Sequence, residues 1–278
     1  MINSGKVTPH KHLRLGANYN ANVPTQTTGA IFDNIESIAD KFSNDDSVTF
    51  NSEVAGINKA AIAFALDPLG SGYEFYARYG LIKKVDLGYN YVSGVHVLDG
   101  RWQFMGGTGT PDEPEEKRMY GSIGLQFSSQ KFDFPKAFGM KQLQKLLGFE
   151  MKRKDLLIPL AFSNSFGPEE EYGSLAYGLC YGHTWLDYGF NPVKIYELSN
   201  GTVQRILPPV NEKKSFSSFG GFICLKAGYK YVYVLMSLAI YHQDYGTYTL
   251  LNGEKTSLKG TTYVPALGLQ TTIPLVRK

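Results

Sequence analysis

Apolar and polar residues alternate along most of this chain, and strict alternation predicts half-buried β-strands. In Lys11–Val23, Leu13, Leu15, Ala17, Tyr19, Ala21 and Val23 share one face. His12, Arg14, Gly16, Asn18, Asn20 and Asn22 share the other. The pattern is clearest over Gly72–Met105. There Tyr73, Phe75, Ala77, Tyr79 and Leu81 alternate with Glu74, Tyr76, Arg78 and Gly80. After the turn Ile82-Lys83-Lys84, Val85, Leu87, Tyr89 and Tyr91 alternate with Asp86, Gly88 and Asn90. The tight turn Ser93-Gly94 leads into a third strand. It sets His96, Leu98, Gly100, Trp102 and Phe104 against Val97, Asp99, Arg101 and Gln103. Two adjacent hairpins therefore share one aromatic face and one charged face.

Further strands are predicted at Met119–Ser129, Asp155–Ser165, Gly173–Tyr188, Ser218–Tyr229, Tyr231–Tyr245 and Thr261–Leu275. Two stretches change period. Ile31, Phe32, Ile35, Ile38, Ala39 and Phe42 predict a helix over Thr27–Phe42. Pro135–Phe149 predicts a short amphipathic helix with proline in its first turn. Ala60–Leu66 fits a strand or a short helix. Gly107–Arg118 is an acidic loop, and Ser199-Asn200-Gly201 is a hairpin tip. About ten strands result, twelve at most, and no linker divides residues 1–278. Up-and-down strands place the tight turns at Lys83 and Lys230 at one end. The long inserts Pro24–Gly70, Pro135–Phe149 and Pro192–Lys214 fall at the other. Ser93-Gly94 and Gly107–Arg118 are exceptions to that division.

Composition sharpens the reading. The chain of 278 residues holds 19 Tyr, 17 Phe and 30 Gly, which suits an all-β protein with many turns. No apolar run reaches the ~18 residues of a transmembrane helix. The mean hydropathy is slightly negative, which excludes a helical membrane bundle. It does not exclude a barrel, in which only every second residue meets lipid. The net charge of +3, with no Lys/Arg stripe, predicts no nucleic-acid partner. The polar face carries Glu74, Arg78, Asp86, Asp99 and Arg101, a set that suits water or a polar lumen. The opposite face is rich in Tyr, Trp and Phe, which favour a lipid–water interface. The expected fold is a single all-β antiparallel transmembrane barrel of about 10–12 strands with two short helical inserts. A soluble β protein binding an apolar ligand is the competing reading.

Arg78-Tyr79-Gly80-Leu81, the turn, Val85-Asp86-Leu87-Gly88 and Asp99-Gly100-Arg101-Trp102-Gln103-Phe104 resemble the hairpin pattern of Gram-negative outer-membrane β-barrel proteins. The resemblance covers about thirty residues and implies a fold and an outer-membrane location, with no transported substrate. Such barrels commonly end in an aromatic residue, whereas Ile273-Pro274-Leu275-Val276-Arg277-Lys278 does not. Met1-Ile-Asn-Ser-Gly lacks the pattern of an export signal, so export implies one removed beforehand. A lipid-anchored N-terminus is a further expectation to be tested.

No motif specifies a reaction, a cofactor or a metal. His10-Lys-His12 has the i, i+2 spacing of a strand metal site but reads as a solvated terminus. His242-Gln-Asp244 lies near a strand end, where a serine partner would make a rim hydrolase on lipid or peptide. A polar rim cluster explains it equally. Cys180 and Cys224 read as small apolar residues, with a disulfide between neighbouring strands as the alternative. The five lumen charges either select solutes or neutralise one another and fill a narrow barrel. Lys152-Arg153-Lys154 beside the second helix suits anionic headgroups or lipopolysaccharide. Loops and helical inserts offer surfaces for a protein partner. The expectation is a non-enzymatic barrel, either a narrow channel or a structural anchor.

Overall fold

Alternating strands leave two edges exposed unless the sheet closes on itself, and here it closes. The computed structural model describes residues 4–25, 29, 48–49, 52–115, 117–132, 147–192, 195–199, 202–206 and 208–275. The wall consists of β1 (His12–Pro24), β3 (Gly70–Ile82), β4 (Val85–Val92), β5 (Val95–Met105), β6 (Met119–Phe132), β7 (Phe149–Phe166), β8 (Gly173–Phe190), β11 (Val210–Tyr229), β12 (Val232–Thr249) and β13 (Lys255–Pro274). Around the barrel the order is β1, β13, β12, β11, β8, β7, β6, β5, β4, β3 and back to β1. Every neighbouring pair is antiparallel. The count is ten. A separate three-stranded sheet joins β2 (Val48–Thr49), β9 (Ile195–Ser199) and β10 (Thr202–Ile206) outside the wall. The hairpin expected at Ser199-Asn200-Gly201 is the β9–β10 pair.

The two expected helical inserts are not borne out. Thr27–Phe42 lies outside the described residues apart from Gly29, and so do residues 135–146 of the second stretch. At its far end Phe149 opens β7. The one helix among the described residues is α1 (Ser52–Leu66). Its last turns, Ala60–Leu66, are buried all round, with exposures of 0–8 %. A helix enclosed on every side shows no helical period, which is why this stretch is equally readable as a strand.

The wall is uneven in height. At a tilt of ~40° and ~3.3 Å per residue, β4 with 8 residues rises roughly 20 Å, and β11 with 20 residues rises roughly 50 Å. The short strands are β3, β4 and β5; the tall side is β7, β8, β11, β12 and β13. One end carries the turns at residues 83–84 and 230–231, the 106–118 loop and the turn containing the 3-10 segment Pro168–Glu170. The other carries the tight turn at 93–94, the long connections and the tall rim. In the rim, Ala61, Ile62, Phe64 and Leu66 of α1 pack with Phe149, Leu186, Tyr188, Phe190, Phe216, Tyr245 and Tyr248.

The distribution of side chains inverts that of a soluble protein. Outward residues are apolar and exposed: Leu179 66 %, Phe219 65 %, Tyr73 63 % and Leu98 62 %. Inward residues are polar and buried: Asp86 0 %, Arg14 3 %, Arg101 4 % and Arg78 5 %. A continuous exposed apolar band of this kind is unstable in water and fits lipid. No described helix is long and apolar enough to cross a membrane, and the exposed apolar band belongs to the strands.

Candidate functional site

Inward positions of β3, β4 and β5 come together by register alone. Arg78 lies opposite Gly88, Gly88 opposite Asp99, and Asp86 opposite Arg101. Arg78 donates to Asp86 at 2.8 Å and meets Asp99 at 2.5 Å, and Arg101 reaches Asp86 at 2.7 Å. Asn90 adds an amide to Asp99 at 2.8 Å. Gly88 makes room for this network, since a Cβ there would lie 2.6 Å from an Asp99 carboxylate oxygen. The structure thus joins Arg78, Asp86, Asp99 and Arg101. Glu74 stands apart on the same inner wall, where it accepts from Asn18 at 3.0 Å.

The lumen below is filled by chain. Residues 4–9 enter the barrel, with Ser4 and Thr8 fully buried and Lys6 and Val7 nearly so. The inner wall binds this segment through its backbone. Arg101 donates to the Ser4 carbonyl at 3.1 Å and Arg14 to the Lys6 carbonyl at 3.3 Å. The amides of Gly5, Val7 and Thr8 donate to Ser163 Oγ (3.0 Å), Gln103 Oε1 (3.0 Å) and Asp86 Oδ2 (2.7 Å). These bonds satisfy backbone groups that would otherwise be buried bare. Gly80 permits the approach, because a Cβ on it would overlap the Pro9 carbonyl at 1.9 Å.

The turn after β7 folds inward to meet the segment. Glu169 and Glu170 adopt φ of 51° and 65°, an unfavourable region for non-glycine residues, and both are buried. Glu170 accepts from Ser4 at 2.6 Å and pairs with Lys226. Glu169 pairs with Lys6 and accepts from Tyr120 at 2.9 Å. Lys6 also donates to the Gly109 carbonyl at 2.8 Å, which ties in the 106–115 loop. Lys230 and Tyr231 hold that loop from outside through Asp112, at 3.0 and 2.6 Å. On the inner wall and the plug together, five buried cations (Lys6, Arg14, Arg78, Arg101, Lys226) face five buried carboxylates (Glu74, Asp86, Asp99, Glu169, Glu170). A balanced set limits the large penalty of taking each charge out of water. Burial alone pushes the Glu170 carboxyl up, but Lys226, Lys6 and Arg14 outweigh it and hold it at about 2. Burial pushes Lys6 down, and Glu170 and Glu169 partly restore it.

Above the plug lies a chamber of about 410 Å³ with a mixed lining that includes Val92, Val97, Gln126, Leu157, Thr184 and Gln243. The end of α1 roofs it. Asp67 accepts from Asn22 at 2.6 Å and Tyr245 at 2.8 Å, and Thr262 also donates to it. Arg153 donates to the Leu66 carbonyl at 2.6 Å, a cation at a helix C-terminus, and pairs with Asp155 at 2.7 Å.

Other sequence candidates separate. His242 faces outward and touches Thr261 Oγ1 at 3.3 Å, while Asp244 binds Lys259 and the Gly246 amide. His12 Nδ1 meets the His10 carbonyl at 2.9 Å, and no group able to hold a metal occurs among the described residues. Cys180 and Cys224 are free. Cys180 stands opposite Gly220, so Cys224 lies four positions along the partner strand, roughly 13 Å away and beyond disulfide reach. Both are buried within the wall. The sequence pattern does not single out Lys6, Glu169, Glu170 or Lys226. The one available signal is Lys226, a lone lysine amid the apolar residues of β11.

No family model matches the chain, and no curated protein matches it. Among solved structures it is similar to the attachment invasion locus protein Ail of Yersinia pestis. There the identity is 10 %, the coverage 95 % of this chain and 99 % of that one, and the TM-score 0.37. It is also similar to the outer membrane protein OprG of Pseudomonas aeruginosa (8 %, 98 % and 99 %, 0.34). A major outer membrane protein of Thermus thermophilus gives 6 %, 94 % and 99 %, with a TM-score of 0.34. The closed register and the inverted side-chain distribution carry the fold independently of these likenesses. A ten-stranded antiparallel barrel with an apolar outer wall and a charged interior has the architecture of a barrel that crosses a membrane with its strands.

Proposed function

We propose that this barrel works as a closed, non-enzymatic anchor in the outer membrane, presenting its tall rim and long connections at the cell exterior. The observation that carries this reading is the segment 4–9 inside the lumen, bonded to the inner walls of β1, β4, β5 and β7. Within this reading the set Glu74, Arg78, Asp86, Asp99 and Arg101 is a structural filling, not a selectivity filter. Short turns face the periplasm and long loops the exterior in such barrels, which puts the plug on the periplasmic side. Planar-bilayer recording tests the proposal. Protein whose folding is verified by heat-modifiable gel mobility should give no sustained conductance, and a steady ohmic current from the unaltered protein would overturn it. A narrow channel is the second reading, favoured by the hollow chamber above the plug. For that reading Arg78→Ala and Arg101→Ala would change ion selectivity; for a filled barrel they lower thermal stability and leave the bilayer silent.

A further inference from the structure

On the outer surface of the tall side, a cleft of about 450 Å³ lies over β6, β7, β8 and β11. Its outward-facing lining includes Ser129, Lys131, Lys152, Lys154, Trp185 and Lys213. The register arranges them in two rows. In the upper row Lys131 stands opposite Lys152, Lys152 opposite Asp187, and Asp187 opposite Lys213. In the lower row Ser129 stands opposite Lys154, and Lys154 opposite Trp185. Directly beneath, Phe127 opposite Leu156 begins the apolar wall.

Like charges directly across a strand pair repel, and Lys131–Lys152 is such a pair. Within the two rows Asp187 is the one carboxylate, and Glu150 follows one step farther out on β7. None of the four lysines forms an ion pair among the described residues. Arg153, their neighbour in sequence, points the other way and serves the chamber roof. The four lysines are therefore exposed and without an ion pair, with one carboxylate, Asp187, among four positive charges and one directly facing like-charge pair, Lys131–Lys152. They sit at the height where the lipid-facing wall gives way to headgroups, beside a tryptophan of the kind that prefers that depth.

We propose that this cleft binds phosphate groups of a phosphorylated glycolipid headgroup in the leaflet around the tall rim. The inference rests on the membrane reading above. Lysine suits phosphate as a point charge, and neighbouring lysines on a rigid sheet can share one dianion. A bound anion also removes the cross-strand repulsion that the bare sheet leaves in place.

The test uses the full chain, folded in detergent, with Trp102→Phe. The chain holds two tryptophans, so Trp185 becomes its sole reporter. Emission is titrated with a bisphosphorylated glycolipid, with the same glycolipid stripped of phosphate, and with inorganic phosphate alone. Half-saturation by the phosphorylated lipid should come at a concentration about tenfold lower than for the stripped one. Lys131→Gln with Lys152→Gln should abolish that difference, while Lys131→Arg should keep it. Heat-modifiable mobility checks that each variant is folded. Equal titration by both lipids, or an unchanged preference in the double variant, overturns the proposal. Saturation by inorganic phosphate with no lipid preference also overturns it, by marking a site for the free anion. Protein that remains soluble and monodisperse without detergent would instead sink the membrane reading itself.

Discussion

At the scale of single residues, the lumen is built from charges that tolerate burial because each is answered. Asp86 is a hub: Arg78, Arg101 and the Thr8 amide all donate to it. Asp86→Ala leaves two buried guanidinium groups short of a partner. It should lower stability by about 3–5 kcal/mol in urea unfolding of the folded barrel. The double variant Asp86→Leu with Arg101→Met should lose less than the two single changes combined, because one cation leaves with the carboxylate and Arg78 keeps Asp99. Glu170 supplies a pH prediction. Its carboxyl lies lower when folded than the usual carboxylate value, at about 2, so it stabilises the folded form above the unfolded value. That contribution disappears as pH falls through the folded value. Amide exchange of residues 4–9 should therefore stay protected at about pH 4 and rise only near pH 2. Loss of protection already at about pH 5 would contradict the pairing with Lys226. The charges on β3, β4 and β5 are legible in the sequence because they alternate with aromatics over a long run. Glu169 and Glu170 are not legible, since an acidic pair in a turn next to proline and glycine has the composition of a solvated loop. Only their backbone, bent inward at positive φ, reveals where they go.

At the scale of elements, strands are easier to read than helices. A wall strand faces two different media, lipid and lumen, so its two-residue period is written plainly in the chain. β1, with Leu13, Leu15 and Ala17 outward and Arg14, Gly16 and Asn18 inward, is the clearest case. Strand ends are less legible. β7, β11 and β13 extend six to eight residues beyond their expected starts into the rim, where both faces meet water or protein and the alternation weakens. α1 has no period because its last turns are enclosed by the rim. Segment 4–9 has none because it bonds to several strands and to the inward turn at once. α1 yields its own prediction. Ile62, 2 % exposed in the rim core, should cost about 2–5 kcal/mol of local stability when changed to alanine. Because α1 lies above the membrane band, protease sensitivity of the rim should increase while the heat-modifiable mobility of the barrel persists. Simultaneous loss of both would mean that rim and wall unfold as one unit.

At the scale of the whole molecule, two features coexist: a wall that only lipid can solvate and an interior that protein fills from one end and roofs at the other. The outer face is suited to lipid, and the proposed closed anchor rests on the inner face. In the proposed closed anchor, the segment 4–9 fills the lumen beside the network of Arg78, Asp86, Asp99 and Arg101. The seating of that segment is the central claim, and proximity across the lumen tests it directly. Ser4 Oγ lies 3.3 Å from Ser163 Oγ on β7, although the two are 159 positions apart in the chain. With Cys180 and Cys224 replaced by alanine, Ser4→Cys and Ser163→Cys should cross-link under mild oxidation in vesicle-inserted protein. The product should be a closed loop that changes mobility on a denaturing, non-reducing gel. Two free thiols that instead react fully with a water-soluble maleimide, with no loop formed, would contradict a filled barrel.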